Sequence, residues 1–273
     1  TLPSPLFNVI NGGAHAQNDL AVQEFMIMPV DISSFSKALE AGATVYHLLA
    51  QRLEKAGKHI CVGDEGGFAS HFATEEEALD CIMDALVQAR IEYGFSCVLA
   101  LDIAASHVYD ENKQKYIIRE NAYTTQELVS WYQELVSTYP IVFLEDPLAE
   151  RDYAGWKRIS QDLEVHIVGD DLCATHPQRI AEAAQDGLVT ASIIKPNQIG
   201  TVTEALQSTN ISYEHGATTI TSHRSSDTED SFIADMAVGS HSQFIKAGAP
   251  ARSERLAKYN RVMRIEDHLK RMT

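Results

Sequence analysis

The stretch IVFLEDPLAERDYAGWKRISQDLEVHIVGDD, residues 141–171, decides the fold. A short β-rich run ends in Glu145, a polar segment of helical character follows, and a second apolar run ends in Asp170. Short, continuous apolar runs are the signature of strands buried on both faces, so the unit reads as strand, helix, parallel strand. Each strand then delivers a carboxylate at its C-terminal tip.

The unit recurs in both directions. CVLALD ends at Asp102, ASIIK at Lys195, TITSH at His223 and QFIK at Lys246. From Glu145 onward the tips are spaced by roughly 25 residues, the length of one strand-plus-helix repeat. A repeat with charged tips predicts an α/β fold, a TIM-like (β/α)8 barrel whose loops at one face form a site.

Toward the beginning the pattern is irregular. LFNVINGG and VQEFMIMPV are β-rich runs, and Asn11-Gly12-Gly13 between them predicts a tight turn joining adjacent strands. Helical spacing follows from Ser34 to Gly57, and again from Thr74 to Gly94, where Thr74 to Glu77 has the pattern of a capping box. The barrel is therefore expected to begin ββαα. Residues 107–120 are polar, predicting a turn between short strands or an excursion above the barrel, and Thr124 to Glu127 offers a second capping box. Helices are expected after Pro177, from Thr201 to Gly216, from about Glu229, and from Ser253 to Met272.

A chain of 273 residues with 45% hydrophobic content can bury one substantial core, so a single domain suffices. The first strand starts close to position 1, and no preceding domain is expected within these residues. A formal charge of −16 argues against nonspecific binding to nucleic acid or to anionic membranes, both of which need a positive surface. Cys61, Cys81, Cys97 and Cys173 lack the paired spacing of a zinc site. Three of them sit in apolar surroundings that predict buried thiols, and a reducing cytoplasm fits best. Neither a signal peptide nor an apolar stretch long enough to span a bilayer is found.

The strand tips carry the chemistry. Asp102, Glu145 and Asp170 lie on consecutive predicted strands, so their carboxylates can converge, and three oxygen ligands suit Mg2+. For any one of them, a solvated acid at a strand end is the ordinary reading; three in succession favour metal. Lys195 and Lys246 lie further round the barrel. A lysine facing a divalent cation is expected to have a lowered pKa and can take a proton, the rival reading being an ion pair with one of the acids. Glu24 and Glu65 add acids from the opposite side of the series, and the glycines of GDEGGF let backbone approach a ligand. GDEGG lacks the GK[ST] ending of a nucleotide-binding loop. His223-Arg224-Ser225 offers an imidazole, a bidentate guanidinium and a hydroxyl suited to phosphate, against the plain alternative of a surface loop. His15 taken alone reads as a surface or satisfied core histidine.

The ordered set NVINGGAHA, QEFMIMP, GDEGGFA, LALDIAAS, FLEDPLAERD, VGDDL, IIKPNQIGT, SHRSSDTED and IKAGAPARSERLAKYN resembles the C-terminal catalytic barrel of the enolase family, over essentially all 273 residues. The resemblance implies a lyase that interconverts 2-phosphoglycerate and phosphoenolpyruvate with Mg2+. It implies that Asp102, Glu145 and Asp170 hold the first metal, that Lys195 removes the carbon-bound proton, and that Glu65, partnered by Glu24, is the acid that helps hydroxide leave. His223 joins this catalytic group. His15, Glu24, Glu145, Asp170, His223, Arg224, Ser225 and Lys246 are the implied substrate contacts, with Arg224 and Ser225 at the phosphate and Lys246 near the carboxylate. A homodimer is a possible partner state, as in the family.

The family also carries a smaller N-terminal capping domain with a mobile loop, and nothing in the 273 residues corresponds to it. The domain expectation is therefore one enolase-type barrel over residues 1–273 without that cap, with weaker binding of a second metal. Ser226-Asp227 replaces the usual Gly-Glu, and Pro196 removes a backbone N–H beside Lys195, which is expected to shift the aim of the amine. Two readings stay open: a catalytic enolase barrel, and a noncatalytic enolase-like protein or isolated inactive domain.

Overall fold

The computed structural model describes residues 1–272. The chain opens with β1 (Ser4–Asn11), β2 (Glu24–Val30), α1 (Phe35–Lys55) and α2 (Glu75–Tyr93), the expected ββαα start. After β3 (Ser96–Asp102) it makes an excursion through three short strands, β4 (Tyr109–Asp110), β5 (Lys115–Ile118) and β6 (Asn121–Tyr123), before α3 (Thr125–Thr138). Strands and helices then alternate: β7 (Ile141–Glu145), α4 (Tyr153–Asp162), β8 (His166–Gly169), α5 (Pro177–Gln185) and β9 (Ala191–Ile194). A short turn of helix, α6 (Pro196–Ile199), precedes α7 (Val202–Glu214), β10 (Thr218–Ser222), α8 (Phe232–Gly239), β11 (Phe244–Lys246) and α9 (Ser253–Met272).

Eight strands close into a barrel in the order β1-β11-β10-β9-β8-β7-β3-β2. All neighbours are parallel except at β2, which runs antiparallel to both β1 and β3. Inside the barrel Leu6, Met26, Ala100, Phe143, Val168, Ile193 and Ile220 form one compact cluster, while a larger apolar layer fills the space between strands and helices. The continuous apolar runs of β7 to β9 are explained by that double burial.

Helix ends follow local chemistry with tertiary additions. Ser34 caps α1 by accepting from the Lys37 amide, but Phe35 and Ser36 amides donate to Glu266 of α9 at 2.8 and 3.0 Å. Those N–H groups have no partner within the helix, so a distant carboxylate closes the first turn. The Thr124 capping box is complete. The Thr74 box is not: Thr74 accepts from the Glu77 amide, whereas the Glu77 carboxylate accepts from Ala73 and pairs with Lys58. Nor is the β1–β2 connection a tight turn. It spans residues 12–23 and includes a 3-10 turn at Gly13–His15. Gly12 is needed there, because a Cβ would lie 2.4 Å from the Val22 carbonyl oxygen.

The thiols also differ from expectation. Cys61 is exposed, Cys81 and Cys97 are half-buried, and only Cys173 is buried. Burial pushes the Cys97 and Cys173 thiols up to about 12. In native protein Cys61 is expected to react first with a disulfide reagent. Cys97 and Cys173 should be on the order of 10³-fold slower, since each unit of pKa removes tenfold in thiolate. Mass mapping of the labelled cysteines before and after unfolding checks this; equal labelling of Cys61 and Cys173 in the native state would contradict it.

Candidate active site

The C-terminal ends of the parallel strands open on one mouth, and β2 contributes its N-terminal end because it runs the other way. In the strand register Asp102 lies beside Glu145 on one side and beside Glu24 on the other. Lys246 lies between Leu6 and Ser222 in the same way. Asp170, Lys195 and His223 each follow directly on a strand. These residues, with His15, Glu65, Arg224 and Ser225, line a cavity of about 340 Å³. Glu145 alone of the nominated set is off its wall, reaching Lys246 instead. A wider depression of about 680 Å³ surrounds Arg119 but gathers none of the strand-tip groups.

Two lysines, Lys246 buried and Lys195 partly buried, organise the charge. The Lys246 ammonium lies 3.0 Å from Asp102 Oδ2, 2.8 Å from Glu145 Oε2 and 3.2 Å from Glu24 Oε1. Burial opposes its charge, but these acids hold it charged, well above the ordinary lysine range. Burial and then the Asp102 charge raise Glu145 to about 8. Lys195 donates to Asp170 Oδ2. Burial works against this charge as well, yet Asp170 prevails and the lysine pKa is raised. The lowered amine pKa expected from the sequence belongs to a lysine facing a divalent cation, whereas pairing with the Asp170 carboxylate acts in the opposite direction.

The same pairing separates the nominated metal ligands. Asp102 and Glu145 share one ammonium while Asp170 holds the other. Among the described residues the three do not form a set whose ligand oxygens all lie within 4.8 Å of one another; His15–Glu24–Glu65 and Asp146–Asp170–Asp171 do. Asp170 Oδ1 and Glu24 Oε2 are buried without a hydrogen-bond partner. Unpaired buried carboxylate oxygens are costly, and their presence marks a place prepared for a cation or a donor.

Glu65 is delivered by a loop that adds to β1: Phe68 donates to the Val9 carbonyl and Asn11 to the Phe68 carbonyl. Its carboxylate accepts from Asn8 Nδ2 at 3.0 Å and lies 3.3 Å from His223 Nε2 and 3.7 Å from His15 Nδ1. Burial would raise it, but His223 and Lys246 hold it well below the usual carboxylate range. Glu24 is held well above that range by burial and by the charge of Glu65. The two carboxylates are thus pushed in opposite directions, Glu24 up and Glu65 down, the usual result of two acids sharing a buried site with cationic neighbours. Burial lowers the pKa of His15.

The loop after β10 is tied from within and from α9. Asp227, in place of the usual glutamate, accepts from the Arg224 amide at 3.2 Å and pairs with Lys258 at 3.2 Å. The Arg224 and Ser225 side chains face the cavity. Pro196 occupies the first position of α6, where an N–H would have no helical partner, and the Lys195 amide is fixed by Thr175 Oγ1 at 2.9 Å.

Four residues of this mouth escaped the sequence reading. Asn8 supports Glu65, and Asp146 accepts from the Asp170 and Asp171 amides at 2.9 and 2.8 Å. Arg255 and Lys258, each 1% exposed, reach in from α9. A signal existed for the last two: they sit on the same helical face as Tyr259 and Val262, where apolar residues are the rule.

Comparison with known proteins sets this geometry in context. The family model described as "Enolase, C-terminal TIM barrel domain" matches residues 1–273. The chain is similar to the enolase of Acidothermus cellulolyticus, 45% identical over 270 residues that cover 98% of this chain and 62% of that protein. It is similar to the enolase of Methanopyrus kandleri, 48% identical over 272 residues that cover 98% of this chain and 64% of that protein. It spans less than two thirds of the length of these curated relatives.

Proposed function

The chain belongs to the enolase family, and from that premise we propose that it is the catalytic barrel, over residues 1–273, of a phosphopyruvate hydratase interconverting 2-phosphoglycerate and phosphoenolpyruvate plus water. The observation that carries the reading is the convergence, in one cavity, of acids, a lysine amine and a His-Arg-Ser loop from separate strands.

The donor set fits a hard divalent cation. Asp170 Oδ1 and Glu24 Oε2 lack partners, and the Lys246 ammonium already stands as a cation between Asp102 and Glu145. Mg2+ is the ion we propose; Asp102, Glu145 and Asp170 would hold it once they give up their present partners, Lys246 and Lys195, and draw together. When bound it supplies positive charge for the dianion that forms when a proton is lost beside a carboxylate.

Lys195 takes the proton from the substrate carbon. It stays charged while Asp170 is its partner, so its basicity is linked to what else engages Asp170. The Glu24–Glu65 pair supplies the proton for the departing hydroxyl, with Glu65 as the donor and Glu24 as the store from which it is reloaded. Arg224 and Ser225 grip the phosphate, the guanidinium in bidentate fashion. His15 and His223 flank the substrate, and Lys246 turns from the acids to the substrate carboxylate.

The test is the rise in ultraviolet absorbance of the enol product when the full-length protein meets 2-phosphoglycerate. We expect activity with Mg2+, loss on chelation and recovery on adding the ion back. No product with any divalent cation would sink the reading.

A further inference from the structure

We propose that Arg255, on α9, fixes the His223 ring in a single tautomer and so keeps the ring proton on Nε2, the nitrogen beside Glu65, making Arg255 a positioning residue for the acid side of the site. The catalytic consequence rests on the function proposed above, whereas the tautomer does not.

The donor inventory carries the argument. A guanidinium has five N–H donors and no acceptor. Arg255 Nη1 donates to His223 Nδ1, so that nitrogen must offer its lone pair. A neutral ring then has its proton on Nε2, the nitrogen 3.3 Å from Glu65 Oε2. Burial lowers the pKa of the ring; Glu65 opposes that shift, and the Arg255 and Lys246 charges add to it. The other Nη donors of Arg255 bind backbone: Nη1 to the Arg224 carbonyl at 2.8 Å, and Nη2 to the Asp64 carbonyl at 2.8 Å and the Ser225 carbonyl at 2.5 Å; the Nε–H makes no hydrogen bond among the described residues. One side chain thus joins the neighbour of Glu65 to the loop that carries Arg224 and Ser225. If the ring took the other tautomer, Nε2 would present a lone pair to the Glu65 carboxylate and the ring would no longer offer it a donor.

The surroundings are shaped for this residue. Gly248 has φ +88°, and a Cβ there would lie 2.6 Å from Arg255 Cδ and 2.8 Å from the Glu65 carbonyl oxygen. Lys258, one turn further along α9, donates to the Thr228 and Glu254 carbonyls and does not touch the imidazole. It holds the same loop without acting on the ring, which makes it the control.

Nitrogen-15 NMR of the histidine rings in the full-length protein tests the proposal, with His223→Gln identifying the resonance. In the unmodified protein His223 is expected as the Nε2–H form alone. Arg255→Met should give a mixture of tautomers and lower kcat about 10- to 100-fold with KM within a few-fold, the size of a disturbed acid step. Lys258→Met should leave the ring spectrum unchanged and act chiefly on KM. A His223 with its proton on Nδ1 in the unmodified protein overturns the proposal even if Arg255→Met does not fold. An unaltered ring in a folded Arg255→Met overturns it as well. Absence of phosphoenolpyruvate formation in the unmodified protein would remove the proposed function while leaving the ring measurement standing.

Discussion

Lys195→Ala in the full-length protein is expected to slow phosphoenolpyruvate formation on the order of 10⁴-fold, the upper range for a positioned acid or base, with little change in KM. The reason is that no other amine can take its place. Lys246, the second lysine of the cavity, is 2% exposed and engaged with three carboxylates. Lys195 is engaged with Asp170 alone, so one contact has to be given up before its lone pair is available. Loss of the amine should also abolish exchange of the substrate's carbon-bound hydrogen with deuterated solvent, a readout that precedes hydroxide departure. A variant retaining a tenth of the turnover, or retaining exchange, would place the base elsewhere. The thermal midpoint is the control for folding, since Asp170 loses its partner in the same substitution.

The second large effect concerns stability. Lys246→Met is expected to cost about 3–5 kcal/mol in the absence of metal, the usual penalty for removing one side of a buried ion pair. Glu24, Asp102 and Glu145 then face one another with no cation between them. The loss should depend on pH. Glu145 has its folded pKa raised from 4.5 to about 8, so its contribution is full below the unfolded value and disappears as pH rises through the folded one. Removing the ammonium raises that folded value further. The variant should therefore lie nearest to the parent at about pH 5 and furthest from it above about pH 8. Urea unfolding at the two pH values measures the difference, and saturating Mg2+ should restore part of it if the three acids accept a cation. Equal unfolding midpoints at high pH would mean that Lys246 does not neutralise this cluster.

The barrel and the location of its mouth were legible in the residues because both rest on local patterns. Apolar runs of strand length recur at one spacing, and each ends in a charged residue. In a parallel barrel such ends meet wherever the chain places them. Asp102, Asp170, Lys195, His223 and Lys246 line the cavity for that reason. Helix starts at Ser34 and Thr124 were likewise local chemistry.

What the one-dimensional pattern left open was decided by contacts across the closed barrel. Glu24 begins its strand, and only the reversal of β2 carries it to the mouth beside Asp102. Which acid binds which lysine depends on distances between strand tips that spacing along the chain does not encode. The structure answers by pairing Lys246 with Asp102, Glu145 and Glu24, and Lys195 with Asp170. Arg255 and Lys258 follow the same rule. Their charges suggest a solvated helix face, but burial against the His223 loop turns them into donors for its carbonyls and its ring. The sequence alone determined which groups could gather, since strand periodicity is a property of neighbouring residues. Tertiary structure decided how those groups share protons and charge, because electrostatic pairing depends on separation in space and on exclusion of water.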